Sequence, residues 1–322
     1  MTESINILLA GSTEISRIPG ISAAGSTPDM SMVTPALDVE ILMEGKCISM
    51  DVPPMTPDGI PTPSLITRAC NEINGIEVFP VNAGMGVKPK TYYYETGLKP
   101  ARDPQKETAL ADMEKATGAG KHLASIMKEK DRVILSETIP AGTTTALAIV
   151  SQFVSEFRTS SSLPDDPNEQ KMEIIRNSRK RTGNMSDPIK VLREFGDYMQ
   201  AIALSFIENS KDQEIILAGG TQMGAVYFMA NRLGYNMRNV RLYTTDSVME
   251  HRGKEIEMVV PRERIRHGSI DFQKSIHSGI RKYSTGNVRE GAGMGASILL
   301  ALEKTTKEDV LRKVDDLYSN FL

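Results

Sequence analysis

Two glutamates and two glycine turns are the residues of this chain whose types and positions could do chemistry. Residues 137–145 read Glu-Thr-Ile-Pro-Ala-Gly-Thr-Thr-Thr, and residues 219–222 read Gly-Gly-Thr-Gln. Each turn follows a short β-branched run and precedes an apolar helix. Backbone N–H groups at a helix N-terminus lack partners, and the helix dipole there favours an anion, usually a phosphate. The two turns therefore predict a phosphorylated ligand at the carboxyl edge of a sheet.

The residues of these turns are the first candidates for ligand contact. They are Glu137, which directly follows the strand predicted at 132–136, and Gly142, Thr143, Thr144, Gly219, Gly220, Thr221 and Gln222.

Glu290 stands immediately before a segment of small residues, Gly-Ala-Gly-Met-Gly at 291–295, which predicts the start of a helix. An acidic residue near a helix N-terminus is commonly only a favourable partner of the dipole. The alternative is a general base that takes a proton from a ring nitrogen beside the phosphate. Glu137 leaves the same choice between a strand-end cap and a ligand contact. Lys88 and His277, taken alone, are more often structural than catalytic.

A polar loop at 158–168 contains three consecutive serines, Ser160, Ser161 and Ser162. Its composition favours a solvated linker with Asn168 as the cap of the next helix. The alternative is that its hydroxyls and amides hold a phosphate or a ribose.

Composition excludes several classes of function. The net charge is −3 with dispersed basic residues, which argues against a nucleic-acid partner. Two cysteines and four histidines without ligand spacing predict neither a disulfide framework nor a metal site. No Walker loop, GxSxG elbow or GxGxxG fingerprint follows the first strand, so we expect no cofactor. The lack of a signal peptide or a membrane-length apolar run predicts a cytoplasmic protein with no membrane partner.

Strands and helices alternate along most of the chain, which predicts a doubly wound, mainly parallel α/β sheet in a single unit. We expect its core at about 75–300, with a smaller lobe from 1–74 and 301–322. The predicted strands are 4–10, 76–82, 132–136, 214–218, 240–244 and 256–260. The predicted helices are 36–45, 105–129, 143–157, 187–208, 222–233, 291–303 and 306–321, and 51–63 is predicted to be a turn-rich loop.

Five ordered motifs, at 19–25, 56–63, 137–148, 217–223 and 290–295, together resemble an archaeal-type family. That family is related to nicotinate-nucleotide:dimethylbenzimidazole phosphoribosyltransferase, an enzyme of cobamide lower-ligand assembly. The resemblance implies transfer of 5-phosphoribosyl from nicotinate mononucleotide to a benzimidazole or purine base, giving an α-ribazole phosphate. It also implies a homodimer.

The resemblance further implies roles for individual residues. Glu290 matches the general base, and Glu137 matches a carboxylate of the substrate site. The glycine turns, Gly291 and the loop matching Ser160–Ser162 would hold the substrate. Asn82 and Lys88 are placed near the same site, although Asn82 replaces an aspartate that the family usually carries. That replacement favours the alternative of a non-catalytic nucleotide-binding or regulatory protein. The sequence does not distinguish dimethylbenzimidazole, hydroxybenzimidazole and adenine as the acceptor.

Overall fold

Six parallel strands form one sheet at the centre of the molecule. The computed structural model describes residues 2–25, 27–50, 54–163 and 165–321. The strands are β1 (Ser4–Ala10), β2 (Glu77–Asn82), β3 (Arg132–Thr138), β4 (Glu214–Ala218), β5 (Val240–Thr245) and β6 (Ile265–Gly268), and their spatial order is β2-β1-β3-β4-β5-β6. Each neighbouring pair is parallel.

The described residues also form twelve α-helices. They are α1 (Thr34–Glu44), α2 (Ser64–Asn74), α3 (Met113–Ile126), α4 (Gly142–Val150), α5 (Asn168–Thr182), α6 (Pro188–Phe195), α7 (Tyr198–Asn209), α8 (Thr221–Arg232), α9 (Asp246–Val259), α10 (Ser278–Arg281), α11 (Met294–Ala301) and α12 (Lys307–Ser319). Within the described ranges, no helix has the length and apolar character needed to cross a membrane.

Helices cover both faces of the sheet, because its central strands are apolar on both sides. In β1, Ile7 and Leu9 pack with α3, α4, α7 and α8 in the main core. Leu8 and Ala10 of the same strand face α1 on the other side. Further along that face, Ile216 of β4 packs with α11. The predicted doubly wound α/β sheet is confirmed.

The boundaries of the predicted sheet and lobe need correction. The sheet does not begin near residue 75, because β1 lies inside it, paired with β2 on one side and β3 on the other. A second core does exist beside the sheet, and it joins α1, α2, α10, α11 and α12. Residues between 270 and 300 contribute to it together with the predicted terminal segments.

Four predicted elements differ clearly from the observed ones, and one of them is the helix predicted at 143–157, which ends at Val150. Residues 256–260 are not a strand, because Ile256 and Val259 lie in α9 and turn the same helical face to the core. The sixth strand is β6, which the sequence did not indicate. The predicted helix 187–208 is two helices separated at Gly196, and the predicted helix 105–129 begins only at Met113. Of the predicted loop at 51–63, residues 51–53 lie outside the described residues.

The strand order reverses between β1 and β3, because the chain goes to β2 on one side and to β3 on the other. In an open α/β sheet, ligands bind in the crevice at the carboxyl ends of the strands beside such a switch point. Ala10 and Thr138 mark this point, since they are register partners at the ends of β1 and β3.

Candidate active site

A pocket lies at the carboxyl ends of the strands beside the switch point. Its empty volume, including space open to solvent, is about 940 Å³. That size suits a small-molecule ligand. The walls come from seven parts of the chain, namely 21–25, α1, 54–63, 137–143, 160–162, 220–222 and 288–292.

The glycine turns contribute unpaired backbone N–H groups to this pocket, although not all the expected ones. The N–H of Gly142 donates to the carbonyl of Ile139 at 2.9 Å, and that of Gly219 donates to Tyr243 at 3.1 Å. In contrast, the N–H groups of Thr143, Gly220, Thr221 and Gln222 have no hydrogen-bond partner among the described residues. The available donors are thus one at the start of α4 and three at the start of α8.

Gln222 connects the two turns. A Cβ at position 142 would lie only 2.0 Å from Oε1 of Gln222, so glycine is required there for the carboxamide to fit. That Oε1 atom is buried and has no partner among the described residues. A buried polar atom without a partner is costly. The carboxamide is therefore a group that a bound ligand could satisfy.

The serine loop is part of the pocket wall, so the solvated-linker interpretation is wrong. Ser160 and Ser161 are 7% and 5% exposed. The Ser160 hydroxyl lies 3.3 Å from that of Thr221, and Ser162 Oγ accepts a hydrogen bond from the N–H of Ala23 at 2.9 Å. Asn168 is the first residue of α5, and no side chain caps that helix.

Two cations that sequence reasoning missed hold the serine loop from behind. Lys171 is fully buried, and its Nζ donates to the carbonyl of Ser160 at 2.8 Å. Burial lowers the pKa of Lys171 to about 7. Arg289 lines the pocket and donates to the carbonyl of Ser161 at 3.1 Å. Arg289 could have been predicted as a site residue, because it directly precedes Glu290 in the sequence.

Glu290 is partly enclosed by the protein and lies just before the N-terminus of α11. Its Oε1 accepts hydrogen bonds from the N–H groups of Gly291 and Gly295, each at 3.1 Å. Glycines let α11 approach the sheet closely, because a Cβ at Gly293 would lie 2.7 Å from Cβ of Ser136. Burial raises the pKa of Glu290 to about 7 despite these hydrogen bonds. The carboxylate is thus fixed in place and close to half-protonated at neutral pH.

Glu137 lies across the Gly219–Gly220 turn from Glu290. A Cβ at Gly219 would be 3.7 Å from Oε1 of Glu137, and one at Gly220 would be 3.8 Å from Cβ of Glu290. Burial, with the nearby carboxylates of Asp197 and Glu290, raises the pKa of Glu137 to about 8. Its Oε2 accepts from the N–H of Ile139 at 3.0 Å.

Asp38 is a third pocket carboxylate that the sequence did not indicate. It stands in the middle of α1 and is 3% exposed. Its Oδ1 accepts from the hydroxyl of Thr62 and its Oδ2 from that of Thr138, both at 2.6 Å. Burial raises its pKa, and the hydroxyl hydrogen bonds oppose that effect.

Most predicted site residues line the pocket. These are Glu137, Gly142, Thr143, Ser160, Ser161, Ser162, Gly220, Thr221, Gln222, Glu290 and Gly291. Gly219 lies directly behind them, and Thr144 is fully buried with its hydroxyl unpaired among the described residues.

Asn82 and Lys88 are not brought to the pocket. Oδ1 of Asn82 accepts from the N–H groups of Gly84 and Met85, and its Nδ2 donates to Glu95 at 2.7 Å. Lys88 forms an ion pair with the same glutamate at 2.5 Å. Both residues stabilise a turn after β2. His277 is likewise structural, since its Nε2 lies 2.9 Å from the hydroxyl of Ser319 in α12.

The fold and the pocket define a doubly wound α/β protein with unpaired backbone amides and carboxylates in one switch-point pocket. The chain belongs to the UPF0284 family. It is 40% identical to a UPF0284 protein of Thermoplasma volcanium over 321 residues, which cover 99% of this chain and 94% of that protein. A UPF0284 protein of Thermoplasma acidophilum is 36% identical with the same coverage. No family model matches the chain.

Solved structures similar to this one carry the name that the sequence motifs indicated. One is nicotinate-nucleotide-dimethylbenzimidazole phosphoribosyltransferase from Thermus thermophilus, with a TM-score of 0.61 and 14% identity over 96% of this chain and 85% of that chain. A structure of CobT from the same organism has the same TM-score over 98% of this chain and 84% of that one. At this identity the similarity concerns the fold. The suspected relationship is confirmed.

Proposed function

We propose that this protein is a phosphoribosyltransferase that moves 5-phosphoribosyl from nicotinate mononucleotide to a benzimidazole-like base. The observation that carries the proposal is the combination of groups in a single pocket. Glu290 offers a partly enclosed carboxylate, and Gly220, Thr221 and Gln222 offer unpaired N–H groups in the same pocket. The similarity in fold to the Thermus thermophilus phosphoribosyltransferase supports the same conclusion.

The phosphate would bind at the end of the pocket formed by α8, α4 and the serine loop. The amides of Thr221 and Gln222 begin a twelve-residue helix, so its dipole adds to their attraction for an anion. Arg289 supplies a positive charge at the same end. The hydroxyls of Ser160 and Thr221, 3.3 Å apart, complete the set of donors.

The reaction needs one proton acceptor and accurate positioning. A ring nitrogen of the base attacks the anomeric carbon of the nucleotide, and a new C–N bond forms as the bond to nicotinate breaks. The bonding pair returns to the pyridinium nitrogen, so nicotinate leaves without needing a proton. The base, now cationic, gives the N–H proton of its other ring nitrogen to Glu290. Holding the two reactants in line supplies much of the rate.

Glu137 is proposed to contact the nucleotide. With a pKa of about 8, it is largely protonated at neutral pH. It can therefore donate a hydrogen bond to a ribose oxygen without adding a second negative charge beside the phosphate.

The test is a direct assay of the wild-type protein with nicotinate mononucleotide and a panel of bases. Chromatography with mass spectrometry should detect free nicotinate and a riboside phosphate in equal amounts. The matched control is Glu290→Gln under the same conditions. If no base of the panel yields a riboside phosphate while the nucleotide binds, the protein is not this transferase.

The alternative of a non-catalytic protein lost its motivating observation. It depended on Asn82, which lies outside the pocket and stabilises a turn through Gly84 and Met85. The homodimer that the family resemblance implies stays a prediction, which sedimentation would test.

A further inference from the structure

Asp38 is a buried carboxylate in the pocket to which the proposed reaction assigns no role. Thr62 and Thr138 each donate one hydroxyl hydrogen bond to it at 2.6 Å. Each carboxylate oxygen can accept two such bonds, so acceptor capacity remains. Among the described residues, no lysine, arginine or histidine forms an ion pair with Asp38.

A buried acidic group of this kind is costly unless donors surround it. Hydroxyl groups face it directly, and the wall of the pocket that it lines also contains the apolar residues Met55, Ile60 and Pro61. Nearby carboxylates make the cost larger, and the charge of Asp38 contributes to the raised pKa of Glu137. A donor on a bound ligand would offset this cost.

The position of Asp38 places that donor on the acceptor base and not on the phosphate. Pro63 packs against Gly291, since a Cβ at Gly291 would lie 3.0 Å from Cγ of Pro63. Gly291 in turn is the neighbour of Glu290 in the sequence. The segment 60–63 thus links the two sides of the pocket, because Thr62 donates to Asp38 and Pro63 lies against Gly291 beside Glu290. A flat aromatic base against this segment would present one edge to Glu290 and another to Asp38.

We propose that Asp38 selects an acceptor that carries a hydrogen-bond donor on its six-membered ring, a hydroxyl or an amino group. This donor is in addition to the ring N–H group whose proton Glu290 would accept. The inference rests on the proposed function, because it assigns the acceptor side of the same pocket. A methylated ring edge would add no donor to the hydroxyls of Thr62, Thr138 and Ser64 that already face Asp38, and binding would be weaker.

The experiment compares matched bases by calorimetric titration of the protein without nucleotide. One pair is 5-hydroxybenzimidazole and 5-methylbenzimidazole, and the other is adenine and unsubstituted purine. For the wild type we expect the donor-bearing member to bind roughly 10- to 100-fold more tightly, the range for a hydrogen bond to a charged group. The two pairs distinguish a hydroxyl from an amino group as the preferred donor.

Asp38→Asn should reduce that preference to within about 3-fold, because the neutral carboxamide keeps the shape and loses the charge. The matched control is Glu40→Gln. Glu40 lies on the same helix and is buried, but it accepts from the N–H groups of Ile48 and Lys90 at 2.7 Å and does not line the pocket. The control should keep the preference of the wild type.

The outcomes separate the inference from the proposed function. Equal affinity of the wild type for both members of each pair overturns the inference, and so does an unchanged preference in Asp38→Asn. If Asp38→Asn does not fold, the affinities of the wild-type protein for the two pairs of bases decide the question. A clear donor preference in binding without any transfer to a base supports the role of Asp38 and overturns the proposed reaction.

Discussion

Glu290 shows how one residue can be both a structural cap and a proton acceptor. Its carboxylate accepts hydrogen bonds from the N–H groups of Gly291 and Gly295, and these bonds fix its orientation at the start of α11. The same burial raises its pKa to about 7. A base is most effective when its pKa lies near the working pH. The two interpretations that the sequence left open are therefore compatible.

Replacing Glu290 with glutamine tests its proposed role directly. Gln keeps the size and one accepting oxygen for the α11 amides, but it cannot take a proton. We expect turnover to fall by about a hundred- to ten-thousand-fold. Affinity for nicotinate mononucleotide should change little, because the proton comes from the acceptor. Steady-state kinetics and nucleotide titration measure the two quantities.

The pH profile supplies a control for this variant. In the wild type, kcat/KM should rise with pH through about 7, as Glu290 loses its proton. Glu290→Gln should lose that rise, whereas Glu137→Gln should keep it and bind the nucleotide more weakly. Near-normal turnover in Glu290→Gln would mean that another group, with Glu137 first, removes the proton.

The sequence revealed the two glutamates and missed the other charged residues of the site for a physical reason. Glu137 and Glu290 adjoin turns of small residues, which mark helix N-termini in any α/β protein. Asp38 stands inside an apolar helix, and its significance comes from Thr138, which lies 100 residues away. Lys171 is similar, because a lysine in a polar helix is usually exposed and only tertiary packing buries this one.

At the scale of elements, the turn from β4 to α8 combines two tasks. It brings three unpaired N–H groups to the pocket and separates Glu137 from Glu290. Gly220 has φ −95° and ψ −134°, so its backbone does not require glycine through a positive φ. We propose that the glycine lets a ligand approach the backbone closely.

Substitutions of Gly220 should separate ligand approach from folding. A Cβ at this position would lie 3.4 Å from Val248, an ordinary contact. We expect Gly220→Ala to fold with little loss of stability, and Gly220→Val to weaken nucleotide affinity by at least a few-fold because its methyl groups occupy the phosphate approach. Calorimetric titration measures the affinity, and thermal unfolding verifies the fold.

Two results would argue against an anion site at this turn. One is unchanged nucleotide affinity in Gly220→Val, and the other is an equal loss of affinity in a variant of similar stability at a residue that does not line the pocket. Gly224→Ala in the same helix is a suitable control, since a Cβ there would meet only Val259 and Val260 at 3.6 and 3.9 Å.

Strands with continuous apolar runs were predictable, and the strand at the edge was not. Residues 4–10 and 214–218 match β1 and β4, because buried parallel strands are apolar on both faces. Residues 256–260 have the same composition but belong to α9, since short apolar runs fit either element. The strand β6 contains Arg266 and His267, both exposed, and so lacks that signal.

At the scale of the whole molecule, the buried carboxylates make stability depend on pH. The pKa values of Glu137 and Glu290 are about 8 and about 7 in the folded state, against an ordinary value of 4.5. The folded protein therefore holds protons that the unfolded chain releases between pH 4.5 and 8. Stability contributed by these groups is present at low pH and is lost as pH rises through that window.

Glu137→Gln should remove part of this dependence. We expect the free energy of unfolding of the wild type to fall by roughly 2 to 5 kcal/mol between pH 5 and pH 8.5 through these groups. The free energy of unfolding of the variant should fall by less over the same pH range, because glutamine does not ionise. Chemical denaturation at both pH values, without ligand, measures the difference.

Glu40→Gln is the control, because hydrogen bonds from backbone N–H groups, against the effect of burial, lower the pKa of Glu40. The stability that ionised Glu40 contributes is fully present above its ordinary pKa. Glu40→Gln should therefore lower the free energy of unfolding by the same amount at pH 5 and at pH 8.5. An equal fall in the wild type and in Glu137→Gln would show that Glu137 does not hold a proton in the folded protein.

The central place of β1 has a consequence for synthesis on the ribosome. The N–H of Glu3 donates to Asp131, 128 residues later, where β1 meets β3. The first strand to be made therefore keeps one edge open to other chains until β3 emerges. During translation this segment depends on β2 and on chaperones for protection. Changes to β1 should therefore reduce the yield of folded protein in cells more than the stability of protein already folded.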